Sequence, residues 1–89
     1  MPQDFTKDPD AVLDYEIDWS AWLDGDTIAI STWSASFGLT IDSNTRTTTT
    51  TTVWLSGGRV GGKFKVINHI VTAAGREDDR MITIQVQQR

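Results

Sequence analysis

Eighty-nine residues without a cysteine make one small domain that no disulfide framework or thiolate metal site can brace. A chain this short buries only about 60–65% of its unfolded surface, so its core is thin and association with other chains would help it. The formal charge of −4 argues against nucleic acid as the main partner, because phosphate contacts need a basic surface.

That charge is unevenly spread. Residues 1–26 hold eight acids against Lys7 alone, leaving −7, while the rest holds seven basic residues against Asp42, Glu77, Asp78 and Asp79, leaving +3. Opposite signs within one small chain suit head-to-tail contact between copies. No apolar run approaches the length of a membrane span, and the acidic, polar N-terminus is not a signal peptide, so a soluble protein used without secretion is expected.

Residues 1–12 show no periodicity. Pro2 and Pro9 break regular structure, and Phe5 is the only large apolar side chain after Met1 in the first ten residues. This stretch reads as an extended arm, ordered only where it finds a surface, with Pro9 holding Asp8 extended. From residue 13 onward the chain reads as a single domain.

The stretch from Leu13 alternates strictly: Leu13, Tyr15, Ile17 and Trp19 point one way, Asp14, Glu16 and Asp18 the other. A period of two is the mark of a half-buried strand. Three like charges on one strand face repel and do nothing for the sheet. Two readings account for them: a solvated face that discourages edge-to-edge pairing, or a docking face for a basic neighbour.

After Trp19, Ser20 can cap one helical turn through Leu23, which Asp24-Gly25-Asp26 ends. Thr27–Trp33 reads as a second strand with Ile28 and Ile30 on one face. Residues 34–38 form a loop, Leu39–Ile41 a short strand, and Asp42-Ser43-Asn44 a turn. The run Thr47–Thr52 feeds into Val53-Trp54-Leu55 and is assigned to a strand, since threonine is a strong strand former. With hydroxyls on both faces it is expected at a sheet edge, its register weakly specified.

Ser56-Gly57-Gly58-Arg59-Val60-Gly61-Gly62 is glycine-rich but lacks the G-x-x-x-x-G-K-S/T spacing of a phosphate loop, and a strand follows where a helix should be. A hairpin connection is expected. Lys63–Thr72 is the longest strand, with Phe64, Val66, Asn68 and Ile70 on one face. Residues 73–78 turn, and Asp79–Gln87 closes the fold with Ile82, Ile84 and Val86 inward. Five to seven short strands read as an all-β sandwich, and Gly62-Lys63-Phe64-Lys65-Val66 resembles the penultimate strand of immunoglobulin-like modules. The expected core is Tyr15, Ile17, Trp19, Ile28, Ile30, Phe64, Val66, Ile82, Ile84 and Val86.

Catalytic chemistry is hard to place. His69 is the only histidine, cysteine is absent, and no serine sits in a G-x-S-x-G elbow. The turn carboxylates Asp24, Asp26, Glu77, Asp78 and Asp79 lack the D-x-D-x-D-G calcium loop. No enzyme, cofactor or metal is expected. Four tryptophans remain; an exposed pair on a β module could stack on pyranose rings, which makes a carbohydrate-binding module through Trp19, Trp22 or Trp54 the alternative reading. Trp22 is the natural interface anchor, since Trp is enriched at binding hot spots.

Two blocks carry a resemblance. Lys7-Asp8-Pro9-Asp10-Ala11-Val12-Leu13-Asp14-Tyr15 is followed by Asp18-Trp19-Ser20-x-Trp22-Leu23, Asp26-Thr27-Ile28 and Ser31-x-Trp33. The second comprises Val53-Trp54-Leu55-Ser56-Gly57-Gly58, Asn68-x-Ile70 and Thr72-Ala73-Ala74-Gly75-Arg76-x-Asp78-Asp79-Arg80. Together they resemble the fiber-tail adaptors of tailed bacteriophages over nearly the whole chain. The threonine run is not expected of that family. The resemblance implies a non-enzymatic virion protein of the neck or tail, assembled in the host cytoplasm and repeated in a ring. Its implied partners are copies of itself and the tail, connector and fiber proteins, with no nucleic acid, membrane or small-molecule substrate. The first block supplies Lys7, Asp8, Asp10, Leu13 and Asp14 as candidate contacts; Phe5 of the arm, Glu16 and Asp18 of the acidic face, and Trp22 complete the set.

Overall fold

The computed structural model describes residues 3–8 and 10–87, and Pro9, expected to steer the chain into the first long strand, lies outside them. Seven strands and one helical turn follow in order among these residues: β1 (Gln3–Lys7), β2 (Leu13–Asp18), α1 (Ser20–Leu23), β3 (Ile28–Ala35), β4 (Leu39–Arg46), β5 (Thr50–Gly57), β6 (Lys63–Thr72) and β7 (Glu77–Val86). They form two sheets, β1-β7-β6-β3 and β2-β5-β4, stacked as an all-β sandwich. All pairings are antiparallel except β1 with β7, which run parallel.

Alternation builds the core. Tyr15, Ile17 and Trp19 of the acidic strand are buried, as are Phe64, Val66 and Ile70 of β6 and Ile82, Ile84 and Val86 of β7. Leu23, Leu39, Val53 and Leu55, like Ile70 absent from the expected core, join them. Ile30 does not. The β3–β6 register shifts between Ile28 and Ile30, so a bulge at Ala29 reverses the facing of the strand. Ile28 stays inside, and Ile30 is turned out to 53% exposure.

The core also holds a polar hub. Trp19 Nε1 donates to Asn68 Oδ1 at 3.0 Å and to Thr51 Oγ1 at 3.2 Å, and Thr51 Oγ1 donates to the same Asn68 oxygen at 2.6 Å. Asn68 Nδ2 donates in turn to Ser31 Oγ and the Thr32 carbonyl at 2.9 and 3.0 Å. Within this hub each buried side-chain polar atom has a partner, as burial demands. The hub ties β2, β5, β6 and β3 across both sheets.

Four expectations need correction. Residues 3–7, read as part of a surface-seeking arm, are an extended sheet strand in which Phe5 and Lys7 have internal partners. The threonine run does not form an edge: Thr47–Thr49 make the β4–β5 turn, and Thr50–Thr52 open β5, the central strand of its sheet. Asp42–Asn44 do not turn; a register shift between Ile41 and Ser43 absorbs them and β4 runs on to Arg46. The glycine-rich loop is no hairpin either. It carries the chain from β5 in one sheet to β6 in the other.

Candidate partner-docking face

β2 is an edge strand of the three-stranded sheet, and its alternation aims Asp14, Glu16 and Asp18 into solvent. Their cross-strand neighbours on β5 are Trp54, Thr52 and Thr50, and the next neighbours on β4 are Ser43 opposite Trp54 and Thr45 opposite Thr52. Residues directly opposite stand about 5 Å apart, so the three acids border a lawn of hydroxyls with one aromatic ring in it. That ring, Trp54, is 39% exposed. The face can offer a flat apolar anchor flanked by fixed negative charge.

Asp18 does a second job. Its carboxylate accepts the Ser20 backbone N–H at 2.9 Å, opening α1, and this bond holds its pKa below the ordinary carboxylate value. Ser20, expected to cap the turn, makes no such bond; Trp19 holds the N-cap position. Arg80 donates to the Asp18 carbonyl at 3.1 Å and lies over the Trp19 ring at 4.3 Å. Arg76 donates to the Leu23 and Trp22 carbonyls at 3.0 Å and lies over the Trp22 ring at 4.2 Å. Both arginines are thereby occupied in holding α1, and neither is a free basic contact.

The other sequence-derived candidates scatter. Phe5 packs on Tyr15, ring centroids 4.9 Å apart, and lies half-buried against the core. Lys7 is wholly buried and donates to the Asp8 and Gly57 carbonyls at 2.8 Å, fastening the end of β1 to the end of β5. Burial lowers its pKa, with Asp8, Asp10 and Asp42 pulling the other way. Asp8 accepts the Asp10 N–H at 2.8 Å, and exposed Asp10 lies with half-exposed Leu13 at the same end of the sandwich. Trp22 sits at the opposite end, half covered by Arg76. Only Asp14, Glu16 and Asp18 form one surface.

The sugar-stacking pair does not exist as such. Trp19 and Trp22 stack edge-to-face with centroids 5.5 Å apart, but Trp19 is fully buried. The turn carboxylates do not converge on a cation site among the described residues. Asp26 faces Arg76 at 3.6 Å, and Glu77 and Asp79 grip His69 instead.

His69 lies on the outer face of the four-stranded sheet, Nε2 2.9 Å from Glu77 Oε1 and Nδ1 bonded to Asp79 Oδ1. Asp79 and then Glu77 raise its pKa above 6.5 by favouring the imidazolium. A raised folded-state pKa adds stability that is complete below the ordinary imidazole value and fades as pH rises through the folded value. The thermal midpoint of the wild type should therefore fall across the His69 titration, followed by NMR of the ring protons. His69→Gln should flatten that step. A step that survives the substitution would assign it to another group.

Trp54 was among the sequence-derived candidates, but sequence reasoning missed two other exposed apolar features. Phe37, at the tip of the β3–β4 turn, is as exposed as a free side chain, and Val60 stands half-exposed in the glycine-rich loop. An apolar residue inside a Ser/Gly turn was the available signal at both places.

Residues 7–85 match the family model described as "Podophage GP4 fiber-tail adaptor protein gp77". No curated protein matches the chain.

Proposed function

Because the chain belongs to the podophage GP4 fiber-tail adaptor family, we propose that it is a non-enzymatic structural component of the virion neck or tail. In this reading it joins the tail or its connector to the fibers, is assembled in the host cytoplasm, and is present in several copies arranged as a ring. It works by protein contacts alone, without nucleic acid, membrane, cofactor or small-molecule substrate.

The acidic row beside exposed Trp54 supports this most directly. A flat strand face with a central aromatic and a charged border has the composition of a docking surface, in which the aromatic supplies the energy and the charges the register. A basic partner surface is the complement. In a ring it can come from Lys63 and Lys65, which are exposed on the outer face of the opposite sheet, so neighbouring copies would meet face to back. The sandwich type we propose is immunoglobulin-like: β2-β5-β4 follows the B-E-D order and β3-β6-β7 the C-F-G order of that fold.

Reversing two charges tests the face. Asp14→Lys with Glu16→Lys should leave the thermal midpoint nearly unchanged, since both side chains are exposed. Retention on phage particles should drop at low salt, where exposed pairs are strongest. Lys63→Glu with Lys65→Glu in the same chain should restore it if copies pair face to back. Retention indifferent to both changes would leave the acidic row a plain solvated face.

A further inference from the structure

Among the described residues the two sheets end on four edge strands, β1 and β3 in one and β2 and β4 in the other. Three of them are guarded against stray pairing. β1 is five residues long, β2 carries Asp14, Glu16 and Asp18, and β4 carries Asp42 and Arg46 with a register shift between Ile41 and Ser43. β3 is not. Its eight residues, Ile28–Ala35, include no charge, no proline and no glycine. Beyond the bulge at Ala29 its register on β6 is unbroken, from Ile30 opposite Val71 to Ala35 opposite Val66.

The ladder decides which backbone groups are left over. Ser36 N–H donates to the Lys65 carbonyl at 2.9 Å, so Ser36 faces β6. Counting back by twos, Ser34, Thr32 and Ile30 turn their N–H and C=O groups to β6 as well. Ala35, Trp33 and Ser31 turn theirs away from it. At the start of the strand the open side is covered. Ile28 N–H donates to the Thr48 carbonyl at 2.9 Å, and Arg46 donates to the Ile28 carbonyl at 3.5 Å. No second strand pairs with the remainder among the described residues. Donors and acceptors alternating at strand spacing are what an extended polypeptide matches.

We propose that the occupant of this edge is β3 of a second copy, laid antiparallel about a two-fold axis beside Trp33. Ser31 and Ala35 stand symmetrically about Trp33, so this register sets Ser31 opposite Ala35 and Trp33 opposite Trp33. Every outward N–H and C=O of these residues then has a partner. The uncharged strand brings no like charges together, whereas the same pairing of β2 would set its acidic row against itself. On the exposed side Thr32 falls opposite Ser34, a hydroxyl pair that suits cross-strand contact. On the inner side the two half-buried Trp33 rings come side by side and cover one another. The pair closes on itself and does not propagate around a ring. It is a property of the free chain, independent of the adaptor reading, and the ring contacts proposed above use sheet faces instead of this edge.

Sedimentation equilibrium of the purified full-length protein is the test. Wild type should show a dimer whose fraction rises with concentration. Thr32→Lys with Ser34→Lys sets lysine against lysine at both crossings of the two-fold and should weaken that dimer about tenfold. Thr32→Lys with Ser34→Glu sets opposite charges there and should restore it. Both variants should melt near the wild-type temperature in dilute solution, because the altered side chains are exposed. Should the lysine pair misfold, Ala35→Pro decides: it removes an outward N–H, spares the β6 ladder and should dissociate the dimer. Asp14→Lys with Glu16→Lys should leave the dimer unchanged, which separates it from the acidic-face contact. A wild type that stays monomeric at every concentration would overturn the proposal and leave β3 to a strand of an unlike protein. So would a dimer that survives the lysine pair, one that the acidic-face reversal dissolves, or one that the opposite-charge variant fails to restore.

Discussion

Trp19→Ala should unfold the domain at temperatures where the wild type is intact. Its indole is fully buried between the sheets, and its N–H is one arm of the hub centred on Asn68. Truncating a buried aromatic costs about 3–5 kcal/mol. Stability of small domains is about 5–15 kcal/mol in total, and each kilocalorie moves the midpoint by about 4–8 °C at this size. A drop of at least about 12 °C is expected by thermal circular dichroism. Trp19→Phe separates the two causes: it keeps most of the packing and removes only the donor. Since Asn68 Oδ1 still has Thr51, the second variant should lose far less. A Trp19→Ala midpoint within a few degrees of wild type would mean that the hub, not the ring, holds the sheets together.

Removing residues 1–7 is the second large effect. β1 lies beside β7 in parallel register from Gln3 opposite Ile82 to Lys7 opposite Val86. Its loss strips Phe5 from Tyr15, unpairs one edge of β7 and opens the two carbonyls that Lys7 holds. Burying a phenylalanine is worth about 1.5–3 kcal/mol and each net hydrogen bond about 1 kcal/mol. A fall of at least about 10 °C in the midpoint follows from those sums. Phe5→Ala should give part of it. A truncated chain that melts like wild type would return this segment to the role of a loose arm, whatever its pairing.

The contrast shows where sequence is informative. β2, β6 and β7 have one wet and one dry face, so a period of two betrays them, together with the inward set Phe64, Val66, Asn68 and Ile70. β1 is a five-residue edge strand whose inward residues include a lysine, and a buried ammonium on two carbonyls leaves no trace in hydropathy. The bulge at Ala29 is equally silent, yet it turns Ile30 outward. Among the site candidates the acidic row was legible because its three residues share one strand. Trp54 became its companion only through pairing with Asp14, a contact spanning forty positions of chain that no local pattern encodes.

The β4–β5 turn has one further implication, for how the gene can change. Thr47 Oγ1 accepts the Thr49 and Thr50 N–H groups at 3.2 and 2.9 Å, and the Thr47 N–H donates to the Thr50 carbonyl at 2.9 Å. Every position from 47 to 52 has the same side chain, so whichever threonine arrives at the corner can make those bonds. Pairing on either side is set outside the run, by Val53, Trp54 and Leu55 on one strand and by Leu39 and Ile41 on the other. Gain or loss of a threonine codon would thus lengthen or shorten the hairpin tip without turning any core residue outward. The tract is a length reserve, limited by the Thr48 and Thr49 carbonyls, which accept the Ile28 and Trp19 N–H groups at 2.9 Å.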